Sequence, residues 1–272
     1  MTYRLNVNFG KIILVGAGGT GSFVAEGLCR LLINYPDIPI YIIDFDTVEK
    51  KNILRQNFYP QDVGKFKAQA LAERYARAYN RGIQYSVSMF TPETVELSWG
   101  GGMESLLCFN SLIIGCVDNH IGRTAISQVI NNPDYGTNCW WIDTGNGYNS
   151  GQVLIGNTCN VSELQPTFDS KNKIVTLVPA PSLQAPFLLQ PAPEIVDEDC
   201  AEAVNNNVQS KMINQQMAVL VLEFVRRILN KDLTWIGAYL DMDEGTLKTV
   251  PAEPYIFSRM FSIDENKLIA KQ

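Results

Sequence analysis

Short apolar runs alternate with segments of helical periodicity along the first 145 residues of the chain. A run such as KIILV at 11–15, which stops at glycines, has the length of a buried strand, whereas apolar residues spaced three and four apart indicate helices. The pattern predicts strands at 11–15, 39–45, 83–89, 111–117 and 139–143, and helices at 19–34, 64–80 and 120–131. Strands joined by such helices pair in parallel through right-handed crossovers, so we predict an α/β fold with a doubly wound, mostly parallel, Rossmann-like sheet.

The pattern changes after residue 145. A short strand at 152–155 is followed by the segment 157–200, which can be neither one helix nor a central strand because six prolines interrupt it. We expect a long crossover loop there, then a long C-terminal helix at 202–229 and a C-terminal β-hairpin formed by 235–240 and 246–250. The predicted organisation is a core at 1–156, the crossover loop at 157–200, and a helix and hairpin at 201–272 that complete the same domain.

Composition narrows the classes of function open to the chain. Its 272 residues are 46% apolar and 18% charged, and 28 acidic against 22 basic residues give a net charge of −6. An acidic surface argues against nucleic acid as a partner. No apolar run reaches the roughly 20 residues of a membrane helix, so we expect no membrane partner. The six cysteines form no C-x-x-C pair, which argues against structural zinc and for a cytoplasmic protein with free thiols.

A glycine-rich turn follows the first predicted strand and opens the first predicted helix. It has the G-x-G-x-x-G pattern, with glycines at Gly16, Gly18, Gly19 and Gly21, and Asp44 ends the next strand. Glycines let backbone amides approach a phosphate, and the helix N-terminus adds partial positive charge. An acid at the end of the second strand accepts hydrogen bonds from ribose hydroxyls. The pattern predicts a nucleotide site; the alternative is a glycine-rich turn that binds nothing.

The residues after Asp44 distinguish ATP from a dinucleotide. An enzyme that expels pyrophosphate needs cations because negative charge builds on the leaving group, whereas a nicotinamide enzyme needs no cations at this place. Arg55 and Lys65 are the candidates for that catalytic task. Asn52 and Gln56 lie three residues before and one residue after Arg55, so they could share its face of a short helix.

Asp118 ends the strand at 111–117 and is followed by Asn119. Strand carboxyl ends form the ligand crevice of open α/β sheets, so a carboxylate there could hold Mg²⁺ against the phosphates. The alternative is that Asp118 caps the next helix, and both roles could hold together.

These motifs together resemble the ThiF/MoeB/HesA family, whose fold is shared with ubiquitin-activating enzymes. The motifs that carry the resemblance are Gly16 to Gly21, the stretches 44–49 and 52–56, Gly64-Lys65 with Lys67-Ala68, and Asp118-Asn119 with Arg123. In length and general sequence character the chain also looks like the ThiF-family proteins of the plasmid-associated PRTRC system.

The resemblance implies an ATP-dependent enzyme that adenylates the C-terminus of a small ubiquitin-like (β-grasp) or sulfur-carrier protein and releases pyrophosphate. Such partners usually end in Gly-Gly, and family members are typically homodimers. The resemblance further implies that ribose is held at Asp44, with Asp46 in the same motif. It assigns the phosphates to Asn52, Arg55, Gln56 and Lys65, and it assigns Mg²⁺ to Asp118, beside Asn119.

Cys200 is the candidate for a second chemical step. It follows the proline-rich segment at the predicted start of the long helix, where the helix N-terminus lowers a thiol pKa and nearby acids raise it. The placement resembles the catalytic cysteine of homodimeric ubiquitin-like activators, which implies a thioester on Cys200. The alternative is a small residue that packs at the helix start.

Three other functions remain open at this point. The acceptor of the adenylate could be a non-protein substrate or a tRNA base, as in one branch of the family. The chain could instead be a nucleotide-regulated scaffold without catalysis, although a scaffold has no need of Arg55, Lys65 and Asp118. An NAD-dependent dehydrogenase is supported only by the glycine turn.

Overall fold

The computed structural model describes residues 2–92, 110–134, 139–191 and 212–270. The strands are β1 (Arg4–Leu5), β2 (Lys11–Val15), β3 (Ile40–Ile43), β4 (Ile83–Ser86), β5 (Ser111–Gly115), β6 (Cys139–Asn146), β7 (Ser150–Gly156), β8 (Phe168–Asp169), β9 (Ile174–Val175), β10 (Trp235–Asp241) and β11 (Thr246–Pro251). The α-helices are α1 (Gly19–Leu31), α2 (Lys67–Tyr79), α3 (His120–Ile130), α4 (Pro181–Gln184), α5 (Ile213–Leu229), α6 (Pro254–Phe261) and α7 (Glu265–Leu268).

An eight-stranded sheet with the order β11-β10-β7-β6-β5-β2-β3-β4 forms the centre of the fold. The neighbouring strands β6, β5, β2, β3 and β4 are parallel to one another. Strands β7, β10 and β11 extend the sheet with antiparallel pairs. The predicted doubly wound, mostly parallel sheet is therefore confirmed. A smaller sheet has the order β1-β9-β8.

Both faces of the large sheet are covered at its centre. In β2, Ile12 and Leu14 pack into a cluster with α1, α2 and α5, while Ile13 and Val15 pack into a second cluster with α3. All five residues of β2 are buried. This two-sided burial explains why the strand is apolar from Ile12 to Val15 and does not alternate with polar residues.

Helix α5 lies against α1 on one face of the sheet. The two helices approach closely at Gly27, where a Cβ atom would lie 2.0 Å from Cδ1 of Leu222. The described part of the long predicted helix begins at Ile213, and its predicted first residues, 202–211, lie outside the described residues. Since α5 ends at Leu229, the predicted C-terminal boundary agrees with the structure.

The structure adds order that the sequence pattern did not predict. Within the described part of the proline-rich segment, β8 and β9 pair with each other, and β9 pairs with β1. Pro181 and Pro186 begin a short α-helix and a short 3₁₀ helix, because proline fits the first helical turn, where its missing N–H is not needed. Pro254 begins α6 in the same way.

The described helices include none long and apolar enough to span a bilayer.

Candidate functional site

A cavity of about 280 Å³ lies at the carboxyl ends of β2, β3, β5 and β6. In open α/β sheets, ligands bind at this edge. Nine of the twelve residues predicted to bind the nucleotide line it: Gly16, Gly18, Gly19, Asp44, Asp46, Arg55, Gln56, Asp118 and Asn119. The other three, Gly21, Asn52 and Lys65, are not among the lining residues.

Close backbone contacts shape the glycine turn. Gly16 has a φ of +90°, and a Cβ atom there would lie 2.6 Å from the carbonyl oxygen of Cys116. A Cβ atom on Gly21 would lie 2.0 Å from the carbonyl oxygen of Gly16. Gly21 is therefore buried beneath the turn and shapes it without lining the cavity. Because Gly18 and Gly19 line the cavity at the start of α1, the N-terminus of that helix is directed at any ligand there.

Asp44 joins the end of β3 to the glycine turn. Its Oδ2 accepts a hydrogen bond from the Ala17 amide at 2.6 Å, and its Oδ1 accepts one from the Asp46 amide at 2.8 Å. Burial raises the pKa of Asp44, and these amides and the Lys67 ammonium partly offset that rise. The carboxylate is therefore fixed at the cavity wall at the position predicted for a ribose contact.

Lys67, which starts α2, supplies an ammonium group to the cavity. Its Nζ lies 2.7 Å from Oδ2 of Asp46, and only 9% of its side chain is exposed. Lys65, the lysine predicted from the sequence, is on the outside: its side chain is 48% exposed, and its Nζ lies 3.8 Å from Oδ1 of Asp62. The structure therefore brings Lys67, and not Lys65, together with the glycine turn.

Asn52, Arg55 and Gln56 follow β3 in and after the 3₁₀ helix Lys50–Leu54. Asn52 is buried, and its Oδ1 accepts a hydrogen bond from the Glu49 amide at 2.8 Å, which holds the start of that helix. Arg55 and Gln56 line the cavity. Oε1 of Gln56 is buried without a hydrogen-bond partner among the described residues. This oxygen is therefore available to accept a hydrogen bond from a ligand or a water molecule.

Asp118 and Asn119 lie at the end of β5 and have separate roles. Asn119 is the N-cap of α3: its Oδ1 accepts a hydrogen bond from the Gly122 amide at 2.9 Å. Its Nδ2 donates to Oδ1 of Asp118 at 3.0 Å. The alternative prediction that Asp118 caps this helix is therefore wrong, because the capping oxygen belongs to the next residue. The carboxylate of Asp118 is left exposed at the cavity.

The predicted magnesium site can be tested against the donors present. Within the described ranges, no three His, Cys, Asp or Glu side chains are grouped so that they could hold a metal ion. One carboxylate is still sufficient for Mg²⁺ bound to a nucleotide, since the ion usually takes one or two carboxylates plus phosphate oxygens and water. Asp118 fits that chemistry.

Asn214, in the first turn of α5, is a cavity residue that the sequence interpretation missed. It is fully buried, and its Nδ2 donates to the carbonyl oxygen of Arg55 at 3.2 Å. Its Oδ1 accepts from Asn146 Nδ2 at 3.0 Å and from Thr20 Oγ1 at 3.4 Å. The available signal was a polar residue on the inward face of an otherwise apolar helix.

A buried ion pair supports the end of β6 behind the cavity. Nε of Arg123 lies 3.1 Å from both carboxylate oxygens of Asp143, and its Nη2 donates to the Thr144 carbonyl oxygen at 3.2 Å. Burial raises the pKa of Asp143 to about 6, although Arg123 opposes the shift. Arg123, which carried part of the family resemblance, therefore holds the backbone of Thr144 and does not line the cavity.

Cys200 lies outside the described residues, so its predicted catalytic role stays a prediction. The described cysteines, Cys29, Cys116, Cys139 and Cys159, are free. Burial raises the pKa of Cys29 to about 11 and that of Cys139 to about 12, so these two thiols are poor nucleophiles at neutral pH.

Sequence comparison assigns the chain to one family. The model of the ThiF family matches residues 4–250. Ubiquitin-like modifier-activating enzyme 5 of Dictyostelium discoideum is 34% identical over 131 residues, which cover 45% of this chain and 32% of that protein. The rat enzyme is 33% identical over 154 residues, covering 53% of this chain and 36% of that protein. The matched region therefore spans about a third of the length of these curated relatives.

Solved structures share the fold. PaaA has a TM-score of 0.57 at 19% identity, covering 90% of this chain and 73% of PaaA. Escherichia coli MccB with ATP has a TM-score of 0.54 at 16% identity, covering 89% of this chain and 63% of MccB. At these identities the likeness supports the architecture alone.

Proposed function

Because this chain belongs to the ThiF family, we propose that it is an ATP-dependent adenylating enzyme that activates the C-terminus of a small ubiquitin-like or sulfur-carrier protein. The names of its relatives, ubiquitin-like modifier-activating enzymes, favour this class of partner over a small molecule or a tRNA base. The proposal also includes a homodimer, which the family resemblance implies. It includes a cytoplasmic location, which the free cysteines suggest.

The observation that carries the proposal is that Arg55 and Lys67 line the same cavity as the glycine turn. Binding a triphosphate and releasing pyrophosphate both require positive charge at this place. A dinucleotide-dependent dehydrogenase does not require two cations beside the glycine turn, and neither does a scaffold.

The nucleotide would lie across the strand ends with its base in the apolar part of the cavity. Phe45, Met89, Phe90, Val117 and Ile121 line that part. The ribose hydroxyls would donate to Asp44, and the phosphates would lie over the amides at the start of α1. With the base, ribose and phosphates in these positions, the α-phosphate would lie between the glycine turn and Asp118.

The proposed reaction is an in-line displacement at the α-phosphorus. One oxygen of the terminal carboxylate forms a bond to that phosphorus, and the bond from phosphorus to the bridging α–β oxygen breaks. The bridging oxygen leaves with its electron pair in pyrophosphate, and an acyl-adenylate remains. Arg55 and Lys67 stabilise the charge on the leaving group, and Asp46 orients the Lys67 ammonium. Asp118 would hold the Mg²⁺ that neutralises the phosphates.

Pyrophosphate exchange into ATP tests the proposed function. Wild-type protein should catalyse exchange that requires Mg²⁺ and a carrier ending in Gly-Gly. The carriers to test are ubiquitin and a sulfur-carrier protein. The control for each is a form of the same carrier that lacks its last two residues. Arg55→Ala and Asp118→Ala should each lower exchange by about 100-fold or more, because each removes a charge that acts on the phosphates. Exchange that persists in both variants would contradict the assignment of the phosphate site. Exchange that a small carboxylic acid supports when it replaces the carrier would favour a small-molecule substrate.

Transfer of the acyl group to Cys200 is the second part of the proposal. With carrier and ATP, wild-type protein should form a covalent adduct that a thiol reductant removes, since thiols cleave thioesters. Cys200→Ser should form no such reductant-sensitive adduct while retaining pyrophosphate exchange, because exchange needs only the adenylation step. An adduct of unchanged sensitivity in Cys200→Ser, seen on a non-reducing gel, would assign the thioester to another thiol.

A further inference from the structure

The hydroxyl of Thr144 has no hydrogen-bond partner among the residues that the structure describes. Thr144 lies near the end of β6, lines the cavity and is 4% exposed. Its Oγ1 is buried and makes no hydrogen bond within the described part of the chain. A buried hydroxyl without a partner lowers stability, so its presence at a cavity suggests a partner that arrives with the ligand.

The backbone around Thr144 is held firmly. Its carbonyl oxygen accepts a hydrogen bond from Nη2 of Arg123 at 3.2 Å, and Arg123 is itself paired with buried Asp143. Two residues further on, Asn146 also lines the cavity, and its Nδ2 donates to Asn214 at 3.0 Å. The end of β6 is therefore a fixed polar wall, which is the condition for recognising a ligand by one hydroxyl group.

The order of the strands gives this wall its place relative to the nucleotide. Asp44 follows β3, the glycine turn follows β2, Asp118 follows β5, and Thr144 is near the end of β6. A nucleotide with its ribose at Asp44 and its phosphates at the glycine turn reaches Asp118 with its α-phosphate. The next wall along the crevice is that of Thr144. In the proposed arrangement the β- and γ-phosphates pair with Arg55 and Lys67, and Lys67 lies beside Asp46 on the β3 side, so the wall at β6 is open to the acyl group.

We infer that the Thr144 hydroxyl hydrogen-bonds the last residue of the polypeptide that is adenylated, and so positions its carboxylate against the α-phosphate. The inference rests on the proposed function and adds the residue that recognises the acyl part of the adenylate. Thr144 can donate to the acyl carbonyl oxygen or accept from the terminal amide, since a hydroxyl does both.

Two stable analogues separate the acyl subsite from the nucleotide site. Glycyl-sulfamoyladenosine mimics a glycyl-adenylate, whereas sulfamoyladenosine lacks the glycyl group, and both affinities can be measured by calorimetry without any carrier protein. Wild-type protein should bind the glycyl compound more tightly. Thr144→Val should lower the affinity for glycyl-sulfamoyladenosine about tenfold, which corresponds to the loss of one hydrogen bond. The affinity for sulfamoyladenosine should stay within about twofold of the wild-type value. Thr144→Ser should restore the glycyl affinity.

Thr249→Val, on the exposed strand β11, is the matched control and should change neither affinity. Equal affinities of wild-type protein for the two analogues would overturn the inference, and so would an equal loss for both in Thr144→Val. Both results would leave the adenylating function standing, because sulfamoyladenosine would still bind. If neither analogue nor ATP binds, the proposed function fails, and the inference fails with it.

Discussion

Lys67→Met is expected to lower pyrophosphate exchange by about 100-fold or more, whereas Lys65→Met should lower it by no more than about twofold. The ammonium of Lys67 lies in the cavity and is shielded from solvent, so its charge acts strongly on a phosphate. The ammonium of Lys65 is at the surface beside Asp62, where water screens its charge. Exchange rates at saturating ATP and carrier measure the difference.

The two lysine variants serve as controls for each other, since each removes one positive charge from the same ten-residue stretch. Thermal unfolding of both should confirm that Lys67→Met remains folded. A large loss in Lys65→Met together with normal exchange in Lys67→Met would contradict the position of α2 in this structure and support the sequence-based assignment.

Gly21→Ala is expected to destabilise the protein by about 3 kcal/mol, at the upper end of the usual cost of overpacking. The added methyl group would lie 2.0 Å from the carbonyl oxygen of Gly16, and a backbone oxygen cannot move aside without displacing β2 or α1. For a chain of this size the melting temperature should fall by about 6–12 °C. Thermal unfolding followed by circular dichroism measures it.

Gly18→Ala is the matched control in the same turn. A methyl group there would have only the amide nitrogen of Gln56 within reach, at 4.0 Å, so the melting temperature should stay within about 2 °C of the wild-type value. The methyl group would still project into space that a phosphate needs, so ATP should bind more weakly. Equal melting temperatures for Gly18→Ala and Gly21→Ala would show that the glycine turn is looser than described.

Most of the sheet could be predicted from the sequence because its central parallel strands β2, β5 and β6 are buried on both faces. Residues 12–15 in β2 and 112–114 in β5 are short apolar runs followed by glycine, and their length favours a strand over a helix. The order within the proline-rich segment could not be predicted. Its strands β8 and β9 have two residues each; β8 pairs with β9, and β9 pairs with β1, about 170 residues earlier in the chain.

The candidate cavity could be predicted where its lining comes from short local motifs, as in the glycine turn and at Asp44. The choice between Lys65 and Lys67 could not be made, since it depends on where α2 begins: Gly64 has a φ of +89°, and the helix starts only at Lys67. Asn214 could not be assigned at all. Its partners Thr20 and Arg55 are 194 and 159 residues away, and no local pattern reports contacts over such distances.

The position of Asn214 also determines when the cavity becomes complete during translation. The ribosome delivers the glycine turn, Arg55 and β6 long before α5, and the first turn of α5 is what joins these walls. A nascent chain that ends before α5 lacks the side chain that holds the carbonyl oxygen of Arg55. Because chains fold from the N-terminus as they are made, the cavity acquires this contact only after the first turn of α5 has been synthesised.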